Sequence, residues 1–135
     1  TLPGMPLIYT GQETGMNRAF AFFEKDKAPE WEPRNEYFTF YQKLNDMKHR
    51  EKALAAGTAG GEMQRYATTS ADLYAFSREK DGSEVFVIVN LGAEPQTVEF
   101  TGEKPDMAGL MDVFTGEAAT LPATLAPGAY LLATK

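Results

Sequence analysis

The sequence predicts a mainly β chain, an antiparallel and Greek-key-like sandwich preceded by an N-terminal α/β segment. Three observations predict it. Val85-Phe86-Val87-Ile88-Val89 is the longest run of β-branched and aromatic residues, a composition that suits a pleated, buried surface better than a helix. Turn residues punctuate the chain after residue 62 at short intervals, at Asp81-Gly82, Gly92 with Pro95, Gly102, Gly116 and Pro127-Gly128, which is the spacing of short sandwich strands. Tyr37, Phe40, Tyr41, Leu44 and Met47 recur every three or four residues, so one amphipathic helix stands before the β region.

Taken in order, residues 1–13 open with Pro-Gly-Met-Pro and then give Leu7-Ile8-Tyr9 before Gly11. A short apolar run with no alternation predicts a strand buried on both faces, as in a parallel sheet. No parallel partner for it exists in this sequence. Residues 14–34 mix Phe20, Phe22, Phe23 and Trp31 with charged residues in no sustained period, and predict a long loop, which in a compact domain is usually functional. Asn35 is the expected helix N-cap, with Glu36 favourable at the positive helix start. The stripe fades towards Leu54, and Gly57 is the expected stop. Residues 57–61, Gly-Thr-Ala-Gly-Gly, read as a flexible boundary that divides the chain into 1–56 and 57–135.

In the β region, residues 62–68 alternate, with Met63, Arg65 and Ala67 on one face and Gln64 and Tyr66 on the other. Residues 72–78 alternate again, and Asp81-Gly82 supplies the positive φ of a tight hairpin into residues 84–90. Residues 97–100 are expected to add a third strand beside them, completing a meander. Beyond a turn at residues 102–106, residues 109–114 and 118–121 predict a hairpin about Thr115-Gly116-Glu117, and a final strand follows Pro127-Gly128.

Composition narrows the function. The formal net charge is −6, and no cluster of Lys and Arg offers a site for nucleic acid or an anionic membrane. The sequence contains no cysteine, so disulfides and thiolate metal sites are excluded, while the compartment, periplasmic, secreted or cytoplasmic, is left open. No apolar run reaches the roughly 18 residues of a membrane helix. The first residue is Thr rather than Met, and a fragment of a longer protein is expected.

Read together, the segments resemble the C-terminal part of the α-amylase family, glycoside hydrolase family 13. The family's eighth barrel strand reads Gly-x-Pro-x-Ile-Tyr-x-Gly-x-Glu, matched by Gly4, Pro6, Ile8, Tyr9, Gly11 and Glu13. Its last barrel helix is similar to Phe40-Tyr41-Gln42-Lys43-Leu44, and its sandwich to Ala75-Phe76-Ser77-Arg78, Val87-Ile88-Val89-Asn90-Leu91 and Thr115-Gly116-Glu117. A closing Leu-x-Pro-x-x-x-x-Leu pattern is matched by Leu125, Pro127 and Leu132. The resemblance implies that residues 1–56 are the last strand, loop and helix of a (β/α)₈ barrel and residues 57–135 its C-terminal sandwich. It implies a parent that hydrolyses α-glucans such as starch, with its own barrel as partner of the sandwich. The family's catalytic carboxylates lie on earlier strands, so no catalytic residue carries over. No metal or cofactor is assigned, and calcium in the parent is left undetermined.

The candidate sugar-contacting residues are Glu13, Arg18 and Trp31. Glu13 follows a strand whose C-terminal end faces the active site in such barrels, where bracing the rim competes with chemistry as its role. Arg18 offers donors and Trp31 a flat ring, the groups that orient and stack a sugar. A retaining glycosidase needs two carboxyl groups about 5–5.5 Å apart, and Glu24, Asp26, Glu30 and Glu32 are interleaved with Lys25, Lys27 and Arg34 as in a solvated loop. His49 has no second ligand at metal spacing. Tyr66, Tyr74 and Tyr130 are candidates for a sugar platform, on which an independent carbohydrate-binding sandwich is the alternative function. Alignment of those rings on one solvent-facing patch would favour it.

Overall fold

The computed structural model describes residues 1–135. They divide into two compact units, a smaller one of Met5–Met47 and a larger one made of Thr1–Gly4 together with Lys48–Lys135.

The larger unit carries seven strands, β1 (Met63–Tyr66), β2 (Leu73–Lys80), β3 (Ser83–Asn90), β4 (Gln96–Thr97), β5 (Met111–Asp112), β6 (Thr124–Leu125) and β7 (Tyr130–Thr134). Five form an antiparallel sheet in the order β1-β2-β3-β7-β5, and β4 pairs with β6. The predicted central strand is central. The β2–β3 hairpin closes on two residues of positive φ, Asp81 at 51° and Gly82 at 82°, because this mirror-image turn matches the twist of the strands it joins.

The predicted meander does not form: residues 96–97 leave the sheet and pair with β6, and β7 takes the place beside β3. Asn90 explains the switch. Its side-chain amide donates to the Glu94 and Leu125 carbonyls at 2.8 and 2.9 Å, and its oxygen accepts the Gly92 N–H at 2.9 Å. Those bonds fold the chain over the end of β3 and bring it to β6. The Thr115-Gly116-Glu117 turn does form, with Asp112 N–H bonded to the Glu117 carbonyl and Ala119 N–H to that of Leu110, though residues 118–121 contribute one bridge rather than a strand.

Between the five-stranded sheet and the β4–β6 layer lies the main core, formed by Tyr66, Leu73, Ala75, Phe86, Ile88, Leu110, Leu125 and Leu131 among others. Strand alternation sends Phe76, Arg78, Val85, Val87 and Leu132 to the other face, where they too are buried. Ala53 and Leu54, fully buried in a 3₁₀ turn at Lys52–Leu54, lie against β2 and β3. Arg78 is 2% exposed and donates to three carbonyls, those of Gly61, Ala55 and Thr1, at 2.9, 3.2 and 3.3 Å. Burial lowers its pKa. Within residues 57–61, Gly60 and Gly61 are correspondingly tight rather than loose, while nothing crowds Gly57. A Cβ on Gly60 would stand 2.1 Å from the Ala55 carbonyl oxygen, and one on Gly61 2.3 Å from that of Glu79.

The helix α1 (Glu36–Arg50), which starts in the smaller unit and whose last residues from Lys48 belong to the larger one, begins where the sequence predicts. Asn35 Oδ1 accepts the Phe38 N–H at 3.1 Å, satisfying a donor that the helix start leaves open. The helix stops at Arg50 rather than near Gly57. Glu51 is extended and buried, and its carboxylate accepts from Arg50 Nε at 2.9 Å and from the Ser83 hydroxyl at 2.7 Å. Holding that side chain at the sheet fixes the break. Leu7-Ile8-Tyr9 forms no strand, because a strand exists only by its ladder and none lies beside it. No helix of the chain is long and apolar enough to cross a membrane.

Candidate functional site

The polar chemistry of the smaller unit centres on residues 9–35. Gly11 and Gly15, with φ of 99° and 68°, bracket a 3₁₀ turn at Gln12–Thr14. Gly15 has no room for a side chain, since a Cβ there would meet the Tyr37 ring at 2.4 Å. Glu13 sits on this turn with both oxygens engaged. Oε2 accepts the Gly11 N–H at 2.9 Å and Oε1 accepts the Trp31 indole N–H at 2.8 Å. The Trp31 bond, followed by the backbone bonds, lowers the Glu13 pKa, so the carboxylate is held ionised. A general acid for glycoside cleavage needs the opposite shift. The geometry is that of a brace closing an 18-residue loop.

Arg18 is drawn into a second cluster. It forms a two-pronged ion pair with Asp26, Nη1 to Oδ2 at 2.7 Å and Nη2 to Oδ1 at 3.1 Å, and also donates to the Lys27 carbonyl at 3.1 Å. Asp26 accepts the Ala21 and Lys27 N–H groups at 2.8 and 2.7 Å. Four donations, counting the two from Arg18, lower its pKa to about 2, with the Arg18 bond the largest cause. Residues 14–34 have no period from which this pairing eight residues apart is readable. It was the carboxylate to look for, because an Asp between loop amides accepts several backbone bonds more readily than a longer Glu.

Two hollows result. One of about 390 Å³ is lined by Tyr9, Met16, Arg18, Phe20 and Phe22, and one of about 350 Å³ by Ile8, Glu13, Phe38, Tyr41 and Asn45. The structure thus brings Glu13 and Trp31 together and places Arg18 in the other hollow. Phe22 and Phe23 stack at 4.1 Å between ring centres, and both are exposed, Phe23 at 93% and with a positive φ of 65°.

Of the three tyrosines on the sandwich, Tyr66 faces the main core, with its hydroxyl 3.0 Å from Ser77 Oγ. It is no part of a sugar platform. Tyr74 and Tyr130 lie on the other face, since Tyr74 pairs with Val89 and Val89 with Tyr130.

No family model matches the chain. Over 123 residues it is 37% identical to neopullulanase 2 of Thermoactinomyces vulgaris, a match covering 87% of this chain and 20% of that protein. Its fold is that found in the crystal structure of a noncanonical maltogenic α-amylase from Thermotoga neapolitana, with a TM-score of 0.71 at 17% identity over 100% of this chain and 32% of that one. The chain has the sequence and the fold of the C-terminal part of an α-amylase family protein. A trehalose-6-phosphate hydrolase of Bacillus licheniformis also matches, with a TM-score of 0.52 at 19% identity over 73% of this chain and 18% of that one. The chain spans only 20% of the length of the curated relative it matches. The α-amylase family reading therefore attaches to a part, and a minor one, of proteins of that size.

Proposed function

We propose that the chain is the non-catalytic C-terminal portion of an α-amylase-like glycoside hydrolase acting on α-glucans. The observation that carries this is the 37% identity to a neopullulanase over 87% of the chain, within 20% of that protein's length. In this reading residues 1–56 supply the last strand, loop and helix of a catalytic barrel, and residues 57–135 are the sandwich that packs on it and stabilises it. Leu7 and Tyr9, 84% and 63% exposed, then receive the neighbours that a barrel strand requires on both faces. Glu13 and Trp31 brace the rim of the substrate cleft, and Arg18 with Asp26 sets the course of the loop above it.

Glu13 has both oxygens bound and its ionised form favoured, and one carboxylate cannot serve as nucleophile and acid in one step. The test is to incubate the purified chain with a chromogenic maltooligosaccharide. No turnover is expected, and turnover abolished by Glu13→Gln would overturn the reading.

A further inference from the structure

We propose that Arg78 is a positioning residue that clasps the two ends of the smaller unit, so that residues 5–47 form a closed excursion from the larger unit rather than a segment that merely precedes it. The larger unit holds Thr1–Gly4 as well as Lys48–Lys135, so the chain leaves it after Gly4 and returns at Lys48. Arg78 bonds a carbonyl on each side of that gap. Its Nη1 donates to the Thr1 carbonyl at 3.3 Å and its Nη2 to the Ala55 carbonyl at 3.2 Å, while Nε donates to that of Gly61 at 2.9 Å. One planar fork therefore holds the entry and the exit side by side.

The exit is built into the sandwich. Ala53 and Leu54 are fully buried against β2 and β3, the Gly61 N–H donates to the Ala53 carbonyl at 2.9 Å, and the Lys48 ammonium donates to the Leu54 carbonyl. The Ser83 hydroxyl donates to Glu51 at 2.7 Å and accepts the Ala53 N–H at 3.4 Å. The entry has much less, since residues 1–4 are exposed and the Arg78 bond is what ties them down. No carboxylate pairs with this guanidinium, and burying an unpaired charge costs more than burying an apolar side chain of similar size. What the position gains in return is a set of donors fixed in a fork, aimed at three separate stretches of backbone.

Closure matters because the smaller unit has so little core, with Gly11 and Met47 its buried residues. A segment pinned at both ends has fewer open conformations than one tethered at a single end, and the gain grows with the length enclosed. Clasping residues 5–47 therefore stabilises the turn at Gln12–Thr14 and the Asn35 cap without touching either. In the proposed function that excursion is the last strand, rim loop and helix of the barrel, so Arg78, a sandwich residue, constrains the loop that carries Glu13 and Trp31. This bearing on the substrate cleft rests on that reading; the clasp itself does not.

The full chain has no cysteine, so Leu2→Cys with Ala56→Cys, both at exposed positions, places probes at the entry and the exit alone. Spin labels there should give one narrow distance distribution. Arg78→Leu should broaden it, and Arg78→Lys, which keeps the charge but not the fork, should broaden it as well. In Arg78→Leu the Met16 and Phe38 amides should exchange about threefold to tenfold faster, the worth of one or two lost hydrogen bonds. A flexible bismaleimide bridge between residues 2 and 56 should return both amides to the rate of the unsubstituted chain, because it restores closure without restoring a donor. Packing lost with the arginine would not be recovered that way. Exchange that the bridge leaves fast, or a distance distribution that Arg78→Leu leaves narrow, would overturn the proposal. Should Arg78→Leu fail to fold, Arg78→Lys carries the same bridged and unbridged comparison, and a broad distribution with Arg78 intact would overturn the proposal by itself. No sugar enters these measurements, so the clasp can fail while the glycosidase reading stands, and the reverse.

Discussion

Val85 and Leu7 both sit in short apolar runs, yet Val85 is fully buried and Leu7 is 84% exposed. Val85 belongs to β3, which has β2 on one side and β7 on the other, and each face of that sheet has a second layer. Leu7 has neither ladder nor layer. The contrast extends through the two units: in the larger one Phe86, Ile88, Leu54 and Leu110 are all closed off, while in the smaller one only Gly11 and Met47 are buried. What holds residues 9–35 is polar instead, the carboxylates of Glu13 and Asp26 acting as knots for backbone and side-chain donors. Apolar composition alone therefore does not make a strand; burial of that composition against neighbours does.

The largest test of this contrast pairs a truncation in each unit. Phe86→Ala should cost roughly 3–5 kcal/mol, the loss expected for a fully buried aromatic, whereas Leu7→Ala should stay within about 0.5 kcal/mol. Urea denaturation of both variants reads the difference. A comparable loss at Leu7 would mean that the smaller unit has a core of its own.

A smaller effect is expected from Arg78, whose head lies among the Gly61, Ala55 and Thr1 carbonyls. Arg78→Leu keeps much of the packing but strips donors from buried acceptors, at about 1–3 kcal/mol. The melting temperature should fall, and the Gly61 and Ala55 region should exchange amide protons faster. If only the former occurred, the arginine would be acting as packing and not as the tie between these segments.

Asn35→Ala removes the helix cap of the smaller unit, at roughly 1 kcal/mol. Because the Asn35 side chain bonds both the Phe38 N–H and the Thr14 carbonyl, faster exchange at Phe38 and a shifted Thr14 carbonyl resonance should appear together. Exchange that accelerates uniformly along β3 as well would show that the two units unfold as one.

Much of the larger unit was legible in the residues. Asp81-Gly82 specified its turn because few residues accept positive φ, and Val85 to Val89 specified the centre of the sheet because both faces are apolar. Asn35 likewise marked the helix start. The route after β3 was not legible, since a Gly-Pro break says that a strand ends and not where the next one pairs; the decision lies with Asn90 reaching Leu125, 35 residues away. Alternation separated Tyr66 from Tyr74 only through strand register, and period two cannot say which side is the core. At the candidate site, Glu13 and Trp31 were named for their residue type and the Glu13–Trp31 bond joins them. The Arg18–Asp26 pair escaped because a loop has no period from which to infer proximity.

The last contrast is in the response to acid, where the two units carry carboxylates shifted in opposite directions. Asp26 has its pKa lowered from 3.8 to about 2 by Arg18 and two backbone donors. Its folded value lies below its unfolded one, so its contribution is complete above pH 3.8 and is lost as the pH falls towards 2. Glu84 is shifted upward, first by burial and then by the nearby Glu79 charge, with Lys135 opposing. Its protonated form favours the fold, so its contribution is present below the ordinary value of 4.5 and disappears as the pH rises through the folded value. Between pH 4 and 2, then, the Ala21 and Lys27 amides should shift as the Asp26 knot opens, with a midpoint of about 2, while the β3 amides hold. Arg18→Ala should bring that midpoint back towards 3.8 without moving the Glu84 titration. Because Asp26 is solvent-exposed and its ion pair is screened by salt, the change in global stability should be small and should shrink further in high salt. Loss of β3 protection in the same pH window would show that the acid response of the loop is not its own.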